Sequence, residues 1–409
     1  MKCRHCAVPL GLTFLDLGAA PPSNAYLTEQ TLHAPEKWFP LRVLVCEQCW
    51  LAQTEDFARA NELFDAEYAY FSGFSTSWLA HCERYVEDMA ARFALDGSSH
   101  VVEVAANDGY LLQYVKARGI TCTGIEPTAR TAAAARAKGI PIVEEFFGAR
   151  LAQALAAEGR QADLMTANNV LAHVPDINDF AAGFAILLRP QGVATFEFPH
   201  LMRLVAENQF DTIYHEHFSY LSLGTVSRIF AAAGLAIFDA EELPTHGGSL
   251  RVFAQRADGG RQPRSSRVDA LLQREADVGL FAAATYVGFQ ARADRVKNDF
   301  LAFLLQMKRE GKHVAAYGAA AKGNTLLNYA GVRPDLIPFV VDRNPAKQGK
   351  YLPGSRIPIV SEAYLREVRP NCVVILPWNL RAEILVQLAY IREWGGHFAV
   401  MAPQIEVLA

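Results

Sequence analysis

The chain has 409 residues, 51% of them hydrophobic and 20% charged, enough for two or three domains with real cores and incompatible with global disorder. The formal net charge is −4 and there is no arginine–lysine run, which argues against nucleic acid as the main partner, since phosphate binding needs a concentrated basic face.

The N-terminus, MKCRHCAVPLG, lacks the apolar core of a signal peptide, and no apolar run approaches the roughly 18 residues that span a bilayer. The expectation is a soluble cytoplasmic protein with no membrane partner. Cys3 and Cys6 form CRHC, and Cys46 and Cys49 form CEQC. Two paired-cysteine turns are the spacing by which tetrahedral zinc takes four thiolates. A disulfide pair or a redox motif competes, but a cytoplasmic chain keeps its thiols reduced. Four protein ligands leave no open position, so the zinc is expected to be structural, with residues 1–58 forming a small module around it. Cys122 and Cys372 stand in apolar strand-like surroundings and read as buried thiols.

Residues 59–260 read as the second domain. An aromatic, helix-compatible region comes first, where Tyr70 and Phe71 either wall a pocket or pack in the core. HVVEVAANDGYLLQYVKARG then reads as strand, polar turn and helix, and TCTGIEPT, IPIVEEFF, ADLMTANNVLAHVPD and GVATFEFPH supply further strands between helical stretches. Strands alternating with helices imply a doubly wound, mostly parallel sheet. Ligands of such sheets bind at the carboxyl ends of the strands, which makes Ala105, Asn107 and Gly109 of the first turn candidate cofactor contacts. Glu126 ends the next strand 17 residues after Gly109, where a carboxylate can accept both hydroxyls of a ribose. Phe146 and its neighbour Phe147 end the third strand, beside a possible adenine, and Asn168 and Asn169 end the fourth. The turn holds one glycine rather than G-x-G-x-x-G, which removes room for a pyrophosphate and favours a phosphate-free cofactor such as S-adenosylmethionine over NAD.

IYHEHFSY, residues 213–220, sets Tyr214, His215, Glu216 and His217 in a row. It admits three readings: metal ligands, if His215 and His217 share one face of an extended strand; a proton-transfer site; or a solvated structural segment. THGGSLRVF offers His246, Ser249 and Arg251 as ligand contacts or simply a turn. Residues 261–409 read as a helical connection, roughly 266–310, followed by a second α/β unit. There YGAAAKGNT puts Lys322 between a strand and a helix, a setting for an anionic phosphate, and Asp342 ends the following strand.

The order CxxC…CxxC, EVAANDGYL, GIEPT, NNVLAHVPD, EFPH, YHEHFSYLS, THGGSLRVF and YGAAAKGNTLL resembles the sugar-nucleotide C-methyltransferases of deoxysugar biosynthesis over essentially the whole chain. Ala105–Ala106 stand where that family usually has glycine or serine. The resemblance implies a zinc module, a central class I S-adenosylmethionine domain and a C-terminal Rossmann-like domain holding a nucleotide diphospho-sugar, with methylation at carbon 3 or 5 of a 4-ketohexose. It implies His217 as the base that forms the enolate, with Tyr214 and Glu216 beside it, and a substrate site drawing on Tyr70, Phe71, His173, His246, Ser249, Arg251, Lys322 and Asp342. Two alternatives stand beside it: an O- or N-methyltransferase of the same fold, and a nucleotide-sugar-binding protein without catalysis.

Overall fold

The computed structural model describes residues 1–57, 71–402 and 404–408, so Tyr70 lies outside the described residues. Three sheets organise the described residues. The first comprises β1 (Leu12–Ala20), β2 (Phe39–Val45), β3 (Ala52–Thr54) and β9 (Ser219–Tyr220), in that order and antiparallel throughout. The second contains β4 (His100–Val104), β5 (Thr121–Ile125), β6 (Ile142–Val143), β7 (Ala162–Asn168), β8 (Leu188–Pro199), β10 (Leu235–Leu243) and β11 (Ser249–Arg256). Their order is β10-β11-β8-β7-β4-β5-β6, parallel from β8 to β6 and antiparallel at the β10–β11 end. The third runs β14 (Ile359–Val360), β13 (Val340–Val341), β12 (Val314–Tyr317), β15 (Cys372–Ile375), β16 (His397–Val400) and β17 (Glu406–Leu408), with only β17 antiparallel.

Helices on both faces of a parallel sheet leave its inner strands no water-facing side, and β4, β7 and β15 are accordingly buried almost end to end, including polar residues such as Glu103 and Thr166. The third strand of the central unit is shorter than its sequence implies. IPIVEEFF contributes only Ile142 and Val143 to the ladder, after which Phe147 packs against Phe180 and Phe184 while Phe146 is left 51% exposed. The expected long helical connection is broken as well, into Ser266–Asp277, Ala283–Val287 and Phe289–Arg309, with Gly279 at φ +80° in the gap.

The N-terminal module differs from a free-standing domain. Its sheet is completed by β9 from the segment that follows His217, and Phe14, Leu15, Leu41 and Val43 share one apolar core with Phe289, Phe300, Leu326 and Leu352 of the C-terminal part. So short a chain buries too little surface alone, and the neighbouring units supply the rest.

One buried polar joint fastens the connecting helix Ser266–Asp277 to the central sheet. Glu275 accepts the amide N–H groups of Leu223 (2.6 Å) and Gly224 (2.8 Å) at the start of helix Leu223–Ala232, and His200 Nε2 at 2.7 Å. Removing this carboxylate leaves two helix-end donors and a buried imidazole without a partner, so Glu275→Ala should cost about 3–5 kcal/mol. Chemical denaturation of the two proteins side by side measures that loss.

Candidate active site

The segment Gln209–Tyr220 runs between the central sheet and the C-terminal unit. A 3-10 turn at Phe210–Thr212 aims the Thr212 carbonyl back at the ring of His217, and Nδ1 lies 3.0 Å from that oxygen. A carbonyl only accepts, so Nδ1 carries the proton and Nε2 is the lone-pair nitrogen. Tyr214 Oη lies 2.9 Å from Nε2 and donates to it. Burial holds the imidazole well below its ordinary range, and the positive potentials of His173 and Lys322 push it further down against the Thr212 carbonyl. His217 is therefore a neutral base with one fixed tautomer.

The neighbours of His217 point elsewhere. His215 donates through Nε2 to the Phe39 and Pro40 carbonyls, 3.3 and 3.2 Å away. Glu216 turns toward Asn24, whose Nδ2 donates at 3.1 Å, and burial raises its carboxyl. The orienting role expected of Glu216 thus falls to a backbone carbonyl. The metal reading of the segment fails on the same geometry. Among the described residues, the four cysteines are the one group of histidine, cysteine and acidic side chains close enough to share an ion.

Several predicted site residues meet around His217. His173 faces it edge-on at 4.6 Å between ring centres and donates through Nδ1 to the Glu216 carbonyl at 2.7 Å. Asn169 lies 3.3 Å from His246 Nε2, and His246 stacks obliquely on Trp78 at 5.3 Å. Burial lowers both His173 and His246 to about 4. Lys322 donates to Asn379 Oδ1 at 2.6 Å and lies 4.3 Å over the Trp378 ring, whose indole N–H donates to Asp211 at 2.8 Å. Burial lowers the ammonium to about 8 and raises Asp211 to about 6, each opposed by the other's charge. Tyr214, His173, Asn169, His246 and Lys322 are all half-buried, as the lining of a cleft should be.

Other predicted residues are turned into the walls. Arg251 pairs across the sheet with Glu197 at 3.0 Å, approaches His81 at 3.2 Å and covers the Tyr85 ring. Burial raises Glu197, but the His81 hydrogen bond and the Arg251 charge outweigh it and bring the carboxyl to about 2. Ser249 donates to the Thr245 carbonyl. Asp342 accepts the amides of Ala319 and Asn344, both at 2.8 Å, so its two oxygens close the loop after β12.

The cofactor end of the central sheet is a strained turn. Ala105, Asn107 and Gly109 take φ values of +60°, +48° and +74°, and a side chain at Gly109 would collide with Ile140. Glu126 accepts Asn107 N–H at 2.9 Å and Thr128 N–H at 3.0 Å, tying the two strand ends together. The segment at Ser72–Gly73 roofs the turn through Asn107 and Asp108, next to Phe71, which stacks on Arg130. Asn168 ends β7 buried, within 3.4 Å of Thr166 Oγ1.

The four cysteine sulfurs lie within 4.8 Å of one another, with pairs at 3.4, 3.5 and 3.8 Å. Zinc with bonds of about 2.3 Å places its thiolates roughly 3.8 Å apart, so the cluster fits the ion without rearrangement.

The comparisons place the chain among methyltransferases. Three family models cover the chain: a "Putative zinc binding domain" over residues 3–64, a methyltransferase domain over 78–240 and a C-methyltransferase C-terminal domain over 244–403. The chain is 33% identical over 408 residues to the C-methyltransferase NovU of Streptomyces niveus, covering 100% of this chain and 97% of that one. A ubiquinone biosynthesis O-methyltransferase of Rhizobium leguminosarum matches at 25% identity over 166 residues, 40% of this chain and 54% of the relative. Among solved structures, magnesium protoporphyrin IX methyltransferase of Synechocystis aligns at 16% identity and TM-score 0.36, covering 44% of this chain and 83% of that one. The chain belongs to the C-methyltransferase family, and its four clustered cysteines are the residues that would hold the zinc of the N-terminal domain. No helix among the described residues is long and apolar enough to cross a membrane.

Three histidines buried as neutral rings give a pH signature. Each binds its proton less well folded than unfolded, so its contribution is complete above the unfolded value near 6.5 and is lost as pH falls, for His173 and His246 toward about 4. The melting temperature should drop steadily over that window, and His173→Gln should flatten the drop.

Proposed function

We propose that this enzyme methylates carbon 3 or 5 of a nucleotide-linked 4-keto-deoxysugar, with His217 removing the proton next to the ketone. The observation that carries the reading is the fixed tautomer of His217, which presents a neutral lone-pair nitrogen to the cleft through Tyr214. Carbon methylation needs a carbanion equivalent, and a ketone makes the neighbouring C–H acidic enough for such a base. The methyl donor is already an activated sulfonium. What remains for the chain is to align the nucleophilic carbon and to stabilise the enolate oxygen.

In this reading the left-handed turn at Ala105–Gly109, with Asn168 and Asn169, holds the methionine and adenosine portions of the donor. The lone pairs that Glu126 has not given to backbone amides accept the ribose hydroxyls, and the exposed Phe146 ring covers the adenine. His173 and His246 flank the sugar with Phe71. The nucleotide extends toward the C-terminal unit. Lys322, with Asn379 Oδ1 at its ammonium and the charge of Asp211 acting on it from further away, supplies positive charge at the reacting end rather than a grip on phosphate.

Mass spectrometry of reactions with candidate 4-keto-6-deoxy nucleotide sugars tests the assignment by one added methyl. Losing a positioned general base costs about 10²–10⁴ in rate. His217→Asn should therefore bind both ligands, barely methylate, and fail to exchange the substrate's alpha hydrogen with deuterated water. Full exchange in the variant would move the base elsewhere, with His173 next in line.

Lys322 adds a pH test. The rate should hold down through pH 6.5, because His217 stays neutral there, and fall above about 8 as the ammonium loses its proton. Lys322→Ala should lower kcat, remove the alkaline fall and leave KM for the sugar nucleotide nearly unchanged. A raised KM with an intact kcat would return Lys322 to the phosphates.

A further inference from the structure

Zinc at four cysteines is usually read as a staple for its own small domain. Here the cysteine cluster reaches the segment around His217 by three short routes. Arg4, between Cys3 and Cys6, is 4% exposed at its side chain and donates through Nη1 to the Phe218 carbonyl at 2.9 Å. Gln53 is fully buried, donates through Nε2 to Cys3 Sγ at 3.3 Å and accepts the Arg4 amide at 2.9 Å, while its backbone pairs with Ser219. Thr54, the next residue, receives the most direct contact with the base, its Oγ1 donating to the His217 carbonyl at 3.1 Å and its amide to the Phe218 carbonyl at 3.1 Å.

We propose that the zinc module is a positioning device for the base: the cluster fixes Arg4 and Gln53, these fix strand β3, and β3 holds the backbone of His217 and Phe218. The stretch from Ile213 to Phe218 is also held by the turn bonds of Ile213 N–H to the Phe210 carbonyl and His217 N–H to the Tyr214 carbonyl, and by Phe218 N–H to the Ala172 carbonyl. His173 on the Glu216 carbonyl and Thr325 on the Ile213 carbonyl add to these, but the carbonyls of His217 and Phe218 themselves are held from the N-terminal module. Without the β3 edge, the His217 carbonyl loses the Thr54 hydroxyl and the Phe218 carbonyl keeps only Arg4, which loosens a register that the catalytic contacts need. Thr54 and Gln53 are positioning residues in this scheme and act through His217. The proposal rests on the functional reading only for the importance of His217, and its main test needs no substrate.

The experiment uses the zinc-loaded enzyme, its chelator-treated form and the variants Thr54→Val and Thr54→Ser, followed by amide hydrogen exchange with mass spectrometry. Thr54→Val keeps the shape and removes the hydroxyl, whereas Thr54→Ser restores it. Expected for Thr54→Val is one zinc per chain, about fivefold faster exchange across residues 213–220, and unchanged exchange in β7. The serine variant should return exchange to the wild-type rate. Zinc removal should loosen 213–220 more than β7, and if it unfolds the whole chain the two zinc-loaded variants decide. With a substrate in hand, the valine variant should lower kcat and leave the affinity for S-adenosylmethionine alone. Wild-type protection of 213–220 in Thr54→Val, or equal loosening in the serine and valine variants, would overturn the proposal. Absence of turnover with every 4-ketosugar would instead count against the proposed function and leave the exchange result standing.

Discussion

The hydrogen bond from His217 Nδ1 to the Thr212 carbonyl is the constraint on which the rest of the site depends. It decides which nitrogen bears the proton, and so which nitrogen faces Tyr214 and the cleft. A carboxylate in the same place would have stabilised the imidazolium and raised its affinity for protons. A carbonyl orients the ring with far less charge, leaving burial, helped by the charge of Lys322, to keep it neutral. The surrounding architecture serves that bond. The turn at Phe210–Thr212 presents the carbonyl, and Thr325 of the C-terminal helix Ala321–Tyr329 holds Ile213 by a hydroxyl hydrogen bond of 2.9 Å.

The two α/β units solve the same local problem in the same way. In each, a turn leaves the first strand with open amides, and the acid that ends the next strand closes it. Glu126 takes the amide of Asn107 and that of Thr128, two residues on, while Asp342 takes the amide of Ala319 and that of Asn344, again two residues on. A carboxylate has lone pairs enough to do this and still meet a ligand, so an acid at a strand end is ambiguous between architecture and binding. The units diverge in what surrounds that acid. Lys347 lies 3.9 Å from Asp342 and also donates to the Ala319 carbonyl at 2.8 Å, which closes the second turn further.

Much of this was legible in the sequence where the information is local. Cysteine pairs with two residues between them bring their sulfurs together through the turn alone, and the single-glycine turn after β4 carries its own strain signature in Ala105, Asn107 and Gly109. What stayed hidden depends on distant segments or on backbone. Glu216 is adjacent to His217 in sequence, but on a tight turn adjacent side chains diverge, and the carbonyl that replaces it carries no sequence mark. Trp78, Asp211 and Trp378 come from three separate regions and join the cleft only through packing. An acid two residues before the IYHEH run and a tryptophan just after β15 were the available hints. Arg251 looked like an anion contact because its cross-strand partner, Glu197, lies 54 residues away in the chain. The dependence of β9 on the N-terminal sheet was equally invisible, since two residues give no strand periodicity.

The electrostatics of the cleft suit a reaction that consumes charge. In the proposed transfer a sulfonium cation and an enolate anion become two neutral products, so a poorly hydrated site disfavours the separated ions more than the transition state between them. The difficulty moves to the earlier step, in which a weakened imidazole must take a proton from carbon and create the anion. A base lowered by burial is a poorer proton acceptor, and some other group must stabilise the enolate to compensate. Lys322 is a cation suited to that work, and Asp211, with its own carboxyl raised to about 6, tempers its charge without neutralising it outright. Too strong a cation would hold the enolate so firmly that it lost its nucleophilicity toward the methyl group. In the proposed reaction an ammonium lowered to about 8 still carries its charge at neutral pH, where it would steady the enolate oxygen.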